Sequence, residues 1–211
     1  MPDYVERLAE EIRFTGQVAK DCGLRLESVY FGGGTPTTLS AEQMDLLLQT
    51  VHGSFDLTHC QEFTVEAGRP DTITKAKLEG LKRGGVTRIS INPQTLNDHV
   101  LQEIGRNHTA QQTLEAFDLA RRCGMDNINM DLIAGLPLDT PDSFRNTLEQ
   151  ILELDPESIT VHTLSLKRSS RIYQEEDGAV PEDDGAVAAQ MLDYADRALW
   201  KAGYNPYYLY R

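Results

Sequence analysis

The 211-residue sequence contains only three cysteines, no long apolar run and few basic residues. Cys22, Cys60 and Cys123 lack the short spacing of a zinc site or a redox motif, and an odd number argues against a disulfide framework. We therefore expect each cysteine to be a small buried residue in a reducing compartment. No run reaches the length of a membrane span, and the N-terminus lacks a charged-then-apolar signal pattern. The sequence predicts a cytoplasmic protein without a membrane partner.

Lys and Arg total 20 against 33 Asp and Glu, which gives a formal net charge of −13. A negative surface repels phosphate backbones, so we expect no nucleic-acid partner. Six carboxylates lie between Gln174 and Gly185 without a basic residue among them, and a solvated loop is the simplest interpretation of this acidic segment.

The chain alternates between short β-branched runs and longer helical patterns. Strand patterns begin near residues 28, 62, 88, 127 and 158, which is the spacing of successive βα units. Five such units predict a parallel sheet with right-handed crossovers. Because a closed eight-unit barrel typically needs ~250 residues, an open barrel or a doubly wound sheet remains. Both folds place their ligands at the carboxyl ends of the strands.

Three sequence patterns locate helices. The periodicity of the first twenty residues predicts a helix from Tyr4 to Cys22. Ser40, with Gln43 three residues later, predicts a capping box, and Thr140 before Pro141 predicts another helix start. The predicted buried face of the first helix comprises Val5, Leu8, Ile12 and Val18.

Glycine and polar residues collect where the predicted strands end. The run Gly32–Gly34 follows the first strand and would let the backbone approach a ligand closely, although a tight turn explains it equally well. Glu66 ends the second strand and could accept hydrogen bonds from a ribose or an ammonium group, unless it is a surface residue. Gln94 follows the third strand and can both donate and accept. Asp131 lies inside an otherwise apolar strand, where an unpartnered carboxylate costs several kcal/mol, which favours a functional role.

Several ordered motifs extend across these strand ends. They are residues 30–37 (YFGGGTPT), 64–68 (TVEAG), 88–95 (RISINPQT), 104–109 (IGRNHT) and 129–137 (NMDLIAGLP). In this order they resemble the radical S-adenosylmethionine (radical SAM) enzymes of the coproporphyrinogen-oxidase group. Residues 66–71 (EAGRPD) and 206–211 (PYYLYR) are similar to the HemZ type of oxygen-independent coproporphyrinogen III oxidase, a coproporphyrinogen dehydrogenase.

The resemblance implies an α/β fold, a partial (β/α)6 TIM-like barrel of the radical SAM type. We expect this barrel to occupy residues 1–172, and residues 173–211 to contain the acidic loop, a helix and the start of a truncated C-terminal region. The implied cofactors are S-adenosylmethionine and, in the full-length protein, a [4Fe-4S] cluster. The family's cluster-binding CxxxCxxC is absent here, so we expect a fragment without the first strand and the cluster loop, with no metal ligands and no activity of its own.

The implied function is oxygen-independent oxidative decarboxylation of coproporphyrinogen III to protoporphyrinogen IX in haem biosynthesis. In the family, a 5′-deoxyadenosyl radical made from S-adenosylmethionine takes a hydrogen from a propionate of the tetrapyrrole substrate, and an electron donor takes part. A haem-binding chaperone of the same group is the alternative. A sugar-phosphate enzyme on a barrel lacks support, because no glycine-rich phosphate site occurs late in the chain.

The resemblance also implies residue roles. The expected cofactor-binding residues are Gly33, Gly34, Thr35, Glu66, Gln94, Arg106, Asp131 and Ser165. Gly33, Gly34 and Thr35 would hold the methionine end of the cofactor, and Glu66 would bind the cofactor near the same place. Gln94, Arg106 and Asp131 match positions for a second S-adenosylmethionine, with Arg106 suited to a carboxylate and Asp131 to ribose hydroxyls, and Ser165 matches another contact position. A basic cluster formed by Lys167, Arg168 and Arg171 would suit the propionates of the substrate, although a solvated basic loop explains it as well.

Overall fold

A computed structural model describes residues 2–164 and 184–208. The helices of these residues are α1 (Pro2–Asp21), α2 (Ala41–Ser54), α3 (Lys75–Arg83), α4 (Asp98–Glu103), α5 (Ala110–Arg122), α6 (Pro141–Glu153) and α7 (Asp184–Lys201). The strands are β1 (Ser28–Phe31), β2 (Glu62–Glu66), β3 (Arg88–Gln94), β4 (Ile128–Ala134) and β5 (Ser158–Thr163). Short 3₁₀ turns, Pro36–Thr38 and Pro70–Thr72, follow β1 and β2.

The strands form one sheet in the order β1-β2-β3-β4-β5, so their order in space is their order in the chain. β1 pairs with β2, and β2 with β3, in parallel. The register places Phe31 beside Val65 and Glu66 beside Ser90. The predicted parallel α/β sheet is confirmed. Its carboxyl edge is where the glycine run and Glu66 emerge.

Contacts divide the chain into two compact units. The first unit contains Met1–Asn92 and Leu114–Asn129, and the second contains Pro93–Thr113 and Met130–Arg211. The domain boundary expected at residue 172 lies outside the described residues. None of the described helices is both long and apolar enough to cross a membrane.

In the first unit, α1 packs on α2 through a face that matches the predicted one only at Val5. Val5, Ala9 and Ala19 are buried, whereas Val18 is 43% exposed. The predicted core positions Leu8 and Ile12 are only half-buried. The reason is the close approach of the helices at Gly16, where a Cβ atom would lie 2.5 Å from Ser54 O. Because only small residues fit at this contact, the larger side chains of α1 lie elsewhere on the helix surface.

The predicted capping box of α2 is confirmed. The Gln43 amide donates to Ser40 Oγ at 3.2 Å, and the Ser40 amide donates to Gln43 Oε1 at 3.0 Å. Two otherwise orphaned amides are thereby satisfied at the start of α2.

In the second unit, α6 packs on α7. Thr140 Oγ1 accepts a hydrogen bond from the Ser143 amide at 3.1 Å, which confirms the predicted start of α6. Apolar side chains of both helices are buried: Phe144, Leu148 and Ile151 of α6, and Met191 and Ala195 of α7.

Candidate functional site

The glycine run forms an open turn directly after β1. Gly33 has φ +100°, a conformation that side chains rarely adopt, and a Cβ atom on Gly33 or Gly34 would meet nothing within 4 Å. Both glycines are exposed, and Thr35 and Pro36 lead from them into the first 3₁₀ turn. The turn is therefore open at these two Cα atoms at the carboxyl edge of the sheet, where a ligand can approach its backbone closely.

Glu66 and the glycine turn are brought together by Tyr30. The Tyr30 hydroxyl donates a hydrogen bond to Glu66 Oε1. A Cβ atom on Gly32 would clash with Cε1 of the Tyr30 ring and would lie 3.0 Å from Glu66 Oε1. The ring thus lies against the first glycine while its hydroxyl holds the half-buried carboxylate. Tyr30 could not be identified as a site residue from the sequence, because this contact joins side chains 36 residues apart.

A buried polar network lies on the two strands that follow. Asn129 Nδ2 donates to Ser90 Oγ at 3.0 Å, and Ser90 Oγ donates to Asn92 Oδ1 at 2.8 Å. Ser90 and Asn129 are 5% and 4% exposed. A Cβ atom on Gly68 would lie 3.2 Å from Asn92 Nδ2, so the network also contacts the segment after β2. The sequence analysis missed Ser90 and Asn129, although polar residues inside apolar strands are the signal that drew attention to Asp131.

Lys77 ties together the two turns after β1 and β2. Its Nζ donates to Thr37 O at 2.6 Å and to Thr72 O at 3.0 Å. The hydroxyls of Thr37 and Thr72 are themselves 2.6 Å apart. Burial lowers the pKa of Lys77 below its usual 10.5. This half-buried lysine holds the segment that continues the glycine turn, and no sequence pattern identifies it.

Gln94 lies in the second unit and is the last residue of β3. It is 6% exposed and has φ +67°, a backbone conformation that costs about 1–3 kcal/mol for residues other than glycine. The next residues are anchored to α6. Thr147 Oγ1 accepts from the Leu96 amide at 3.1 Å, and Asn97 Nδ2 donates to Ser143 Oγ at 2.8 Å. This anchoring holds Gln94 in its strained conformation.

Arg106 and Asp131 lie on other segments of the second unit. Arg106 follows α4, where its amide donates to Leu101 O at 2.8 Å after the left-handed Gly105. Asp131 is the fourth residue of β4, between the fully buried Met130 and Leu132. Its side chain is half-exposed rather than buried as the apolar strand suggested. The burial cost used to favour a functional role is therefore smaller than expected for a fully buried carboxylate.

Asp139, which follows β4, is a titratable residue that the sequence analysis missed. It is 9% exposed, and its Oδ1 accepts a hydrogen bond from the Thr140 amide at 3.0 Å. Burial raises the pKa of Asp139, and hydrogen bonding to Ser143 and Thr140 opposes this. Ser165 and the basic cluster Lys167, Arg168 and Arg171 lie outside the described residues, as does most of the acidic segment.

The cysteines do not fit an iron–sulfur cluster. Cys22 is exposed at the end of α1, and Cys60 and Cys123 are half-buried in other helix-to-strand segments. The expectation that all three are buried was wrong, because each lies in a connecting segment at the surface. Cys60 Sγ donates to Glu62 O at 3.3 Å. Within residues 2–164 and 184–208, no group of three His, Cys, Asp or Glu side chains could hold a metal ion.

The model of the Radical SAM superfamily matches residues 1–151. The chain belongs to this superfamily. Radical SAM proteins use S-adenosylmethionine and a [4Fe-4S] cluster, so the expected cofactors are those of the family. The open glycine turn beside a carboxylate suits the first of these, whereas the described cysteines do not suit the second.

Among curated proteins, the chain is 46% identical over 202 residues to the "oxygen-independent coproporphyrinogen-III oxidase-like protein HemZ" of Bacillus subtilis, covering 95% of this chain and 40% of that protein. It is 33% identical to the haem chaperone HemW of Lactococcus lactis, and this match covers 97% of this chain and 52% of that protein. This radical SAM chain thus spans about half the length of the curated relatives that it matches.

Among solved structures, coproporphyrinogen III oxidase (HemN) from Escherichia coli matches with a TM-score of 0.83 and 26% identity, covering 97% of this chain and 46% of that one. Archaeal Elp3 from Methanocaldococcus infernus matches with a TM-score of 0.66 and 16% identity, covering 87% and 48%, which shows similarity of fold alone. The expected radical SAM fold, a partial TIM-like barrel, is confirmed by these matches and by the five-stranded parallel sheet.

Proposed function

We propose that this chain binds S-adenosylmethionine for a protein that oxidatively decarboxylates coproporphyrinogen III to protoporphyrinogen IX. The observation that carries the proposal is the open turn at Gly33 and Gly34 next to the held carboxylate of Glu66. A zwitterionic amino acid needs peptide donors and acceptors for one end and a carboxylate for its ammonium group, and this pair supplies both. The cluster is not part of the proposal for these residues, because the described cysteines do not fit it.

The proposed roles follow the chemistry of each group. The peptide groups of Gly33 and Gly34 and the Thr35 side chain bind the methionine end of S-adenosylmethionine. Glu66 accepts a hydrogen bond from its ammonium group. These four residues belong to one unit and lie along one turn and the end of the adjacent strand.

A second set of contacts is proposed for the other unit. Gln94 offers an amide at the strained end of β3, Arg106 offers a guanidinium for a carboxylate, and the half-exposed Asp131 offers a carboxylate for ribose hydroxyls. Ser165 is proposed as a further contact, and the basic cluster as the site for substrate propionates; both lie outside the described residues.

Titration calorimetry of the chain with S-adenosylmethionine tests the binding site. A hydrogen bond to a charged group contributes about 1.5–3 kcal/mol, so Glu66→Gln should weaken binding by roughly 10- to 100-fold. Glu62→Gln is the matched control, because Glu62 carries the same charge at the opposite end of the same strand. Equal affinities for the wild type and Glu66→Gln would contradict the assignment of Glu66.

The identity to HemZ, 46% against 33% for the HemW protein of L. lactis, supports the porphyrinogen as substrate. A haem chaperone is the second candidate, which the matches to several HemW proteins favour. Anaerobic titration of the chain with coproporphyrinogen III and, separately, with haem distinguishes the two. We expect saturable binding of the porphyrinogen; a shifted Soret band with haem and no porphyrinogen binding would favour the chaperone.

A further inference from the structure

The aromatic residue that precedes the glycine turn occupies an unusual position. Tyr30 is 59% exposed, yet its side chain makes two specific contacts at the carboxyl edge of the sheet. Its ring lies where a Cβ atom of Gly32 would be, and its hydroxyl donates to Glu66 Oε1. An exposed tyrosine does not need a carboxylate partner for its own solvation, since water would satisfy it. The two contacts of Tyr30 therefore act on Glu66 and on the glycine turn, and not on the solvation of the tyrosine.

The hydrogen bond changes what Glu66 can do. A glutamate side chain loses up to about 2 kcal/mol of rotamer entropy when a ligand immobilises it. With Oε1 held by Tyr30, the orientation of the carboxylate is set before a ligand arrives. Glu66 Oε2 accepts no hydrogen bond from the described residues, and so it remains available to a ligand at the glycine turn.

We propose that Tyr30 is a positioning residue that orients Glu66 toward the ammonium group of S-adenosylmethionine and ties this carboxylate to the glycine turn. The inference rests on the proposed function, because it assigns Glu66 to that ligand. It adds a residue that touches no ligand itself and acts through Glu66 and Gly32. It also explains why residue 32 is a glycine, because a side chain at Gly32 would displace the Tyr30 ring.

Tyr30→Phe tests the inference, because it removes the hydroxyl and keeps the ring against Gly32. We expect the dissociation constant for S-adenosylmethionine, measured by titration calorimetry on the chain, to rise about fivefold. Tyr194→Phe is the matched control: Tyr194 likewise donates its hydroxyl to a glutamate, Glu149 Oε1 at 2.8 Å, but belongs to the other unit. It should bind as the wild type does.

A second ligand separates positioning from a structural effect. 5′-Methylthioadenosine has the adenosine and sulfur of S-adenosylmethionine but lacks its ammonium and carboxylate groups. Tyr30→Phe should leave the affinity for 5′-methylthioadenosine unchanged, whereas a distorted turn would weaken both ligands. In the Glu66→Gln background, Tyr30→Phe should add less than twofold, because the group that it orients has lost its charge.

Gly32→Ala provides an independent variant, because its methyl group would push the Tyr30 ring away from Glu66. It should weaken S-adenosylmethionine binding at least as much as Tyr30→Phe does. Unchanged affinity in Tyr30→Phe, equal weakening for both ligands, or full additivity with Glu66→Gln would overturn the inference while leaving the proposed function intact. A wild-type chain that binds no S-adenosylmethionine would instead refute the proposed function.

Discussion

Lys77 connects the backbones of two turns, and its replacement by methionine measures what that connection contributes. The ammonium group donates at 2.6 Å to Thr37 O and at 3.0 Å to Thr72 O. A hydrogen bond involving a charged group contributes about 1.5–3 kcal/mol. Burial lowers the pKa of Lys77, which means that desolvation offsets part of this gain. We expect Lys77→Met, which keeps most of the stem, to lower the free energy of unfolding by about 2 kcal/mol.

Lys75→Met is the matched control on the same helix. Lys75 is 72% exposed and its ion pair with Glu79 spans 3.6 Å, so its loss should cost at most about 1 kcal/mol. Urea unfolding at constant m-value measures both variants, and the melting temperature of Lys77→Met should fall by about 4–8 °C. Equal losses in the two variants, or a loss below about 0.5 kcal/mol in Lys77→Met, would refute the reasoning.

Three further predictions concern Asp139, the polar network and the cluster. Burial raises the pKa of Asp139, so the folded state holds the proton of this carboxyl group more tightly than the unfolded state does. The stability of the wild type therefore falls as the pH rises from about 4 through the folded pKa. Asp139→Asn should therefore be more stable than the wild type at neutral pH, on the order of 1 kcal/mol, and lose this advantage in acid; a pH-independent difference in melting temperature would contradict this. Ser90→Ala removes the hydrogen bond between Asn129 Nδ2 and Ser90 Oγ and should cost about 1–3 kcal/mol in urea unfolding, whereas a neutral result would show that the network is dispensable. Anaerobic incubation of the chain with iron and sulfide should give no stoichiometric cluster and no 5′-deoxyadenosine, and formation of both would show that the cysteine assignment is wrong.

The parts of the site that lie at strand ends could be predicted from the sequence. Strand patterns placed Gly33 directly after β1 and Glu66 at the end of β2, and parallel strands present their carboxyl ends along one edge. The contacts of Tyr30 and Lys77 could not be predicted, because they join residues 36 and 40 positions apart and depend on the strand register.

Two other features could not be predicted from the sequence, because they depend on the segments that surround them. The positive φ of Gln94 reflects how the following residues are anchored to α6, and a glutamine gives no hint of a left-handed backbone. The cysteines were expected to be buried from the average behaviour of the residue type. Their surroundings are set instead by the helix-to-strand segments in which they lie.

The strand order has a consequence for biosynthesis. Each strand of this sheet lies beside the one synthesised immediately before it, so no strand has to wait for a partner that is still inside the ribosome. Each pairing closes a loop of only one βα unit, so its entropic cost is lower than that of pairing strands from distant parts of the chain. The sheet can therefore grow by one βα unit at a time as the chain emerges, and the most recently added strand serves as the template for the next.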